Sequence, residues 1–124
     1  MTDYTTYSEN DFCEAFNEFY ELLTDGKCPA NSPKAFLLGG QSGAGKTTIH
    51  DIIQKENSNF IVIDGDRFRE RHPNFEAIHK IYGNNAANYT QKFSNSIVNA
   101  LIERLSSEHY NLIIEVLAEP LKYR

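Results

Sequence analysis

The run Gly40-Gln41-Ser42-Gly43-Ala44-Gly45-Lys46-Thr47 has the spacing glycine, four residues, glycine, lysine and a hydroxyl residue. That spacing suits phosphate binding. The glycines let the backbone wrap closely around phosphate oxygens, where a Cβ would obstruct the path. Exposed backbone N–H groups and a following helix N-terminus supply positive partial charge. Lys46 is expected to reach the β- and γ-phosphates of a nucleotide, and the Thr47 hydroxyl to ligate Mg²⁺. Thr48 completes the expected nucleotide-binding set. An idle glycine-rich turn is the bland alternative, and the flanking pattern argues against it.

Carboxylates form the second group of interest. Asp64-Gly65-Asp66 follows the continuous apolar run Phe60-Ile61-Val62-Ile63, and Glu115 follows Leu112-Ile113-Ile114. In open α/β sheets, ligands bind beyond the C-terminal ends of such strands. A carboxylate there can hold Mg²⁺ or accept the proton of an attacking hydroxyl. Asp66 lies past the glycine and is the better base candidate; Asp64 reads as structural. For Glu115 the pattern alone leaves the functional and structural readings balanced. It comes beside the phosphate loop only if the sheet order moves its strand inward. Arg67, Arg69 and Arg71 can each pair with phosphate. A solvated charged face is the default for Arg67 and Arg71, and Arg69 stays open. His50, His72, His79 and His109 show no metal-ligand spacing and read as ordinary surface or core residues.

These residues need a scaffold. Ser8 and Asp11 have capping-box spacing ahead of Phe12, Phe16, Phe19, Tyr20 and Leu23, which recur at helical intervals. Asp25-Gly26-Lys27 ends that helix, and Pro29 and Pro33 bound a short connection. Ala35-Phe36-Leu37-Leu38 reads as a strand entering the glycine loop. A helix leaves the loop, with Ile49, Ile52 and Ile53 on one face. Phe75, Ile78, His79 and Tyr82 suggest a short helix closed by Gly83. A longer helix carries Tyr89, Phe93, Ile97, Leu101, Ile102 and Leu105. The order helix, strand, helix, strand, helix, helix, strand implies an α/β, P-loop kinase-like three-layer fold with a parallel sheet. Continuous apolar strands suit a sheet covered on both faces.

The chain of 124 residues is expected to form one domain, 1–124, with 40% hydrophobic and 23% charged residues. A net charge of −5 argues against a nucleic-acid partner. Cys13 and Cys28 are too few for a disulfide framework and read as reduced thiols of a cytoplasmic protein. No apolar run approaches membrane-spanning length, and the polar, acidic N-terminus does not read as a signal peptide. Residues 116–124 contain neither a turn glycine nor a helical pattern, an atypical tail. The expectation is therefore a fold truncated after its third strand, with apolar surface and a sheet edge left open.

Three segments together resemble the zeta toxins of bacterial epsilon/zeta toxin–antitoxin systems. They are Leu38 to His50, Ile63 to Arg69 followed by His72-Pro73-Asn74-Phe75, and Tyr110 to Glu115. The resemblance implies a kinase that uses ATP and Mg²⁺ to phosphorylate the 3′-hydroxyl of the sugar in UDP-N-acetylglucosamine. It implies phosphate binding by Lys46, Mg²⁺ ligation by Thr47, Asp66 as catalytic base and Glu115 as a carboxylate at the sugar site. It also implies an epsilon-type antitoxin protein as partner. Three departures qualify it. The family continues after Glu115 with Gly-Thr, a variable residue and Arg, where Val116-Leu117-Ala118-Glu119 stand here. Nothing matches the family's later strands and its arginines. A family glutamate falls near Asn99. The expectation is the N-terminal half of a zeta toxin, with impaired turnover. The alternatives are another P-loop small-molecule kinase, or a non-catalytic remnant that binds a nucleotide or an antitoxin.

Overall fold

The computed structural model describes residues 3–38 and 46–115, except the side chains of residues 46–50. The glycine-loop residues Gly40, Gln41, Ser42, Gly43, Ala44 and Gly45 and the tail 116–124 lie outside the described residues. Helix α1 spans Glu9–Thr24. Ser8 caps it as the spacing predicts: its Oγ accepts from the Asp11 N–H, and Asp11 Oδ2 accepts from the Ser8 N–H, both at 3.0 Å. Such reciprocal capping satisfies two helix-end donors that would otherwise lack partners. Gly26 follows the helix at φ +75°, a conformation that glycine adopts without a Cβ penalty.

Strand β1, Ala35–Leu38, leads toward the loop, and α2, Lys46–Glu56, follows it. Strand β2 is Phe60–Asp64; α3 is Gly65–Arg69; α4 is Phe75–Tyr82. A 3₁₀ turn, Gly83–Asn85, leads into the long α5, Ala86–Ser107, and β3 is Asn111–Glu115. All pairings are parallel, in the order β1-β3-β2. Strand β3 is therefore central, and its residues Asn111 to Ile114 are buried.

The alternation along the strands separates two faces. Ile61, Ile63, Leu112 and Ile114 join Ala15 and Phe19 of α1, Phe68 of α3, and Phe93, Ile97, Leu101 and Leu105 of α5 in one core. On the other face Phe36 and Phe60 meet with ring centroids 5.6 Å apart. They line a cavity with Ile53 of α2. Helices thus lie on both faces of the sheet, giving the expected three layers.

Asp64-Gly65-Asp66 is the junction of β2 and α3, the short helix around Phe68. The structure corrects the sequence reading at two places, on α5 and on α2. On α5, Tyr89 is partly exposed and stacks on Tyr82, while Thr90 and Ser94 lie inside. A small polar residue fits at Ser94 because α3 and α5 approach closely there. Ser94 meets the α3 backbone, and Thr90 Oγ1 donates to the Ala86 carbonyl. On α2, Ile53 faces the cavity but Ile52 is 56% exposed.

Candidate active site

The register decides what the C-terminal edge of the sheet holds. Leu38 pairs with Glu115, and Glu115 pairs with Asp64. In one row lie the end of the strand that enters the glycine loop, the central carboxylate, and the start of the Asp-Gly-Asp junction. Strand β3 does lie inward, so Glu115 stands beside Leu38, the last described residue before the glycine loop.

A cleft of about 480 Å³ opens at this edge. Asp64 and Glu115 line it from the strand ends, Asp66 and Arg69 from α3, and Gln91, Asn95 and Asn99 from α5. Leu37, Val98, Ile102 and Ile114 supply apolar wall. Gln91, Asn95 and Asn99 recur every four residues, so helical geometry puts their amides on one stripe. The sequence reading touched only Asn99. The signal for the others was that same spacing, on the side of α5 away from its core residues.

Local physics sets the acidic junction. Asp64 ends β2 in extended conformation, and its Oδ1 accepts from the Asp66 N–H at 3.0 Å. This is helix capping, the structural task expected of Asp64. Phe68 buries its ring on Phe19, centroids 4.5 Å apart, and anchors α3 to the core. Gly65 lies against α5, where the Ser94 Oγ donates to its carbonyl. A Cβ on Gly65 would lie 3.3 Å from both Ser94 Oγ and Val98 Cγ2, so glycine suits this approach.

Asp66 is half-exposed in the cleft, and Arg69 Nη1 donates to its Oδ1 at 2.5 Å. The other two arginines diverge: Arg67 is exposed, and Arg71 pairs at the surface with Glu18. His72 stands outside the cleft and serves structure. Its Nδ1 accepts from the Asn74 N–H, so Nε2 carries the proton and donates to the Thr5 carbonyl. Burial lowers its pKa from 6.5.

An anion-binding feature accompanies the cleft: α2 opens at Lys46, directly after the glycine loop. Lys46, Thr47 and Thr48 form its first turn. The helix N-terminus there favours anions.

The zeta toxin sequence profile matches residues 20–121. The chain belongs to the zeta toxin family. It is 46% identical to Toxin PezT of Streptococcus pneumoniae over 110 residues, covering 88% of this chain and 44% of that relative. It is 40% identical to Toxin zeta of Streptococcus pyogenes over 116 residues, covering 93% of this chain and 40% of that one. A solved structure from the characterization of the PezAT chromosomal toxin–antitoxin system of Streptococcus pneumoniae superposes with a TM-score of 0.90 at 44% identity. That match covers 94% of this chain and 48% of the solved one. This zeta toxin family chain thus spans less than half the length of the relatives it matches. Among the described residues, no helix is long and apolar enough to cross a membrane.

Proposed function

We propose that this chain carries the nucleotide-binding and acceptor-activating parts of a zeta-toxin-type kinase. The reaction is transfer of the ATP γ-phosphoryl group to the 3′-hydroxyl of the sugar of UDP-N-acetylglucosamine. One observation carries the reading: the strand order puts Asp66 and Glu115 in one cleft beside the end of the strand that enters the phosphate loop.

Asp66 accepts the proton of the attacking hydroxyl. Glu115 and the amides of Gln91, Asn95 and Asn99 orient the acceptor, since a polyhydroxylated sugar offers donors and acceptors that such groups match. Lys46 holds the phosphates, and Thr47 the metal. Bound ATP–Mg²⁺ supplies the phosphoryl group with its charge neutralised. Membership of the zeta toxin family also supports an epsilon-type antitoxin protein as partner.

The test is product analysis. The chain is incubated with ATP, Mg²⁺ and UDP-N-acetylglucosamine, and the 3′-phosphate is sought by mass spectrometry. A chimera with residues 1–115 ahead of the remaining length of the Streptococcus pneumoniae relative is run in parallel. Product from the chimera, lost in its Asp66→Asn form, supports the reading. An unphosphorylated sugar nucleotide alongside transfer to another acceptor would replace the substrate assignment.

A further inference from the structure

Among the described residues lining the cleft, Arg69 is the cationic one, and it faces Asp64, Asp66 and Glu115. Exposed ion pairs three residues apart on a helix usually contribute little. This pair differs. The Arg69 side chain is only 20% exposed, and its Nε is shut off from solvent without a hydrogen-bond partner. Native structures seldom carry a buried N–H in that state. Here the side-chain conformation that leaves Nε unsatisfied is the one that puts Nη1 on Asp66 Oδ1.

Asp66 is held from three directions. Asp64 takes its N–H, the preceding Gly65 carbonyl is tied to Ser94 of α5, and Arg69 holds one carboxylate oxygen. The Asp66 side chain nonetheless stays 44% exposed. We propose that Arg69 is a positioning residue for Asp66: it fixes Oδ1, so that Oδ2 is presented to the acceptor hydroxyl. This inference rests on the kinase reading above. Its physical basis is that proton transfer needs the base within hydrogen-bond reach in one orientation, which a freely rotating carboxylate does not keep.

Two measurements test it. The first uses the chain without substrates: hydrogen exchange at the side-chain N–H groups of ¹⁵N-arginine-labelled protein. Arg69 should exchange more slowly than the exposed Arg67, and Asp66→Asn should erase the difference while the backbone spectrum persists. Equal rates in the wild type would overturn the proposal. The second reads turnover in the chimera with ATP, Mg²⁺ and UDP-N-acetylglucosamine. Arg69→Ala should lower kcat by about 10²-fold, the scale of a misplaced catalytic group, with ATP affinity unchanged. Added guanidinium should restore part of that rate in Arg69→Ala and none in Asp66→Asn. Arg69→Lys, which keeps the charge without the planar fork, should fall in between. Wild-type turnover in Arg69→Ala, or a deficit that guanidinium leaves untouched, would overturn the positioning role. If the chimera transfers nothing, the kinase reading and the role in turnover fall together. The exchange rates would still decide whether Arg69 holds Asp66.

Discussion

Strands β1 and β3 are both apolar, yet one is buried and the other open. In β3, Leu112, Ile113 and Ile114 lie between two neighbouring strands and are buried. In β1, Phe36 is 40% and Leu37 is 71% exposed. The difference lies in the neighbours: among the described residues, β1 pairs on one side only, and Leu37 lines the cleft instead of meeting a helix. An apolar run therefore specifies a strand, while its place in the sheet specifies burial. The same contrast holds for chemistry. The β2 end is locked through Asp64, Gly65 and Arg69, whereas the β1 end leads into the glycine loop that we propose takes up phosphate.

The largest expected effect sets Asp66 against Asp64 at the locked β2 end. In the chimera, Asp66→Asn should cut transfer by roughly 10²- to 10⁴-fold, the usual worth of a positioned base, with ATP binding nearly intact. Asp64→Asn should matter far less, since an asparagine can still cap α3. A crippling Asp64→Asn with a harmless Asp66→Asn would reverse the assignment. At the β1 end, Lys46→Ala should abolish ATP–Mg²⁺ binding, because the proposed site would lose its phosphate-pairing charge. Calorimetry giving equal affinities for mutant and wild type would show that nucleotide does not bind at this loop.

Stability should follow the strand contrast. Ile113→Ala at the buried centre should cost about 2–5 kcal/mol through lost transfer energy and the cavity left behind. Leu37→Ala at the edge should stay within about 1 kcal/mol, as surface substitutions do. Urea midpoints compare the two directly, and similar losses would mean that β1 is covered in solution.

The smallest effect concerns pH. The burial of His72 lowers its pKa below 6.5, so as pH falls the unfolded chain takes up this proton before the folded one. The His72 contribution is therefore fully present above pH 6.5 and declines as pH falls toward the lower folded value. His72→Gln should flatten that decline in urea midpoints measured above and below pH 6.5. An unchanged slope would mean that other groups govern it.

Much of this was legible in the linear text because it rests on local physics. The capping box at Ser8, the helix closed by Gly83 and the apolar runs of all three strands depend on neighbours within a few residues. The three motifs also sufficed to name the family. Helix α3 rests on a single apolar anchor, Phe68, so no apolar repeat marked its extent in the sequence. Tyr89 misled because its spacing fits the core stripe of α5, but the buried positions there are Thr90 and Ser94, the latter against the α3 backbone.

Residue order alone determined the α/β class, the position of the glycine loop between a strand and a helix, and the carboxylates at strand ends, since each follows from backbone propensity and short-range periodicity. Strand order was decided in three dimensions. Nothing in the pattern of β2 or β3 says which lies next to β1, because both are continuous apolar runs of similar length. Only packing of α1 and α5 against one shared face, with parallel crossovers, puts β3 in the centre and Glu115 between Leu38 and Asp64. The i,i+3 spacing on α3 brings Arg69 to Asp66, but the seclusion of the Arg69 side chain from solvent was settled by the seating of α3 on α5. How far such a pair is shut from water depends on which surfaces meet, and sequence spacing does not encode that.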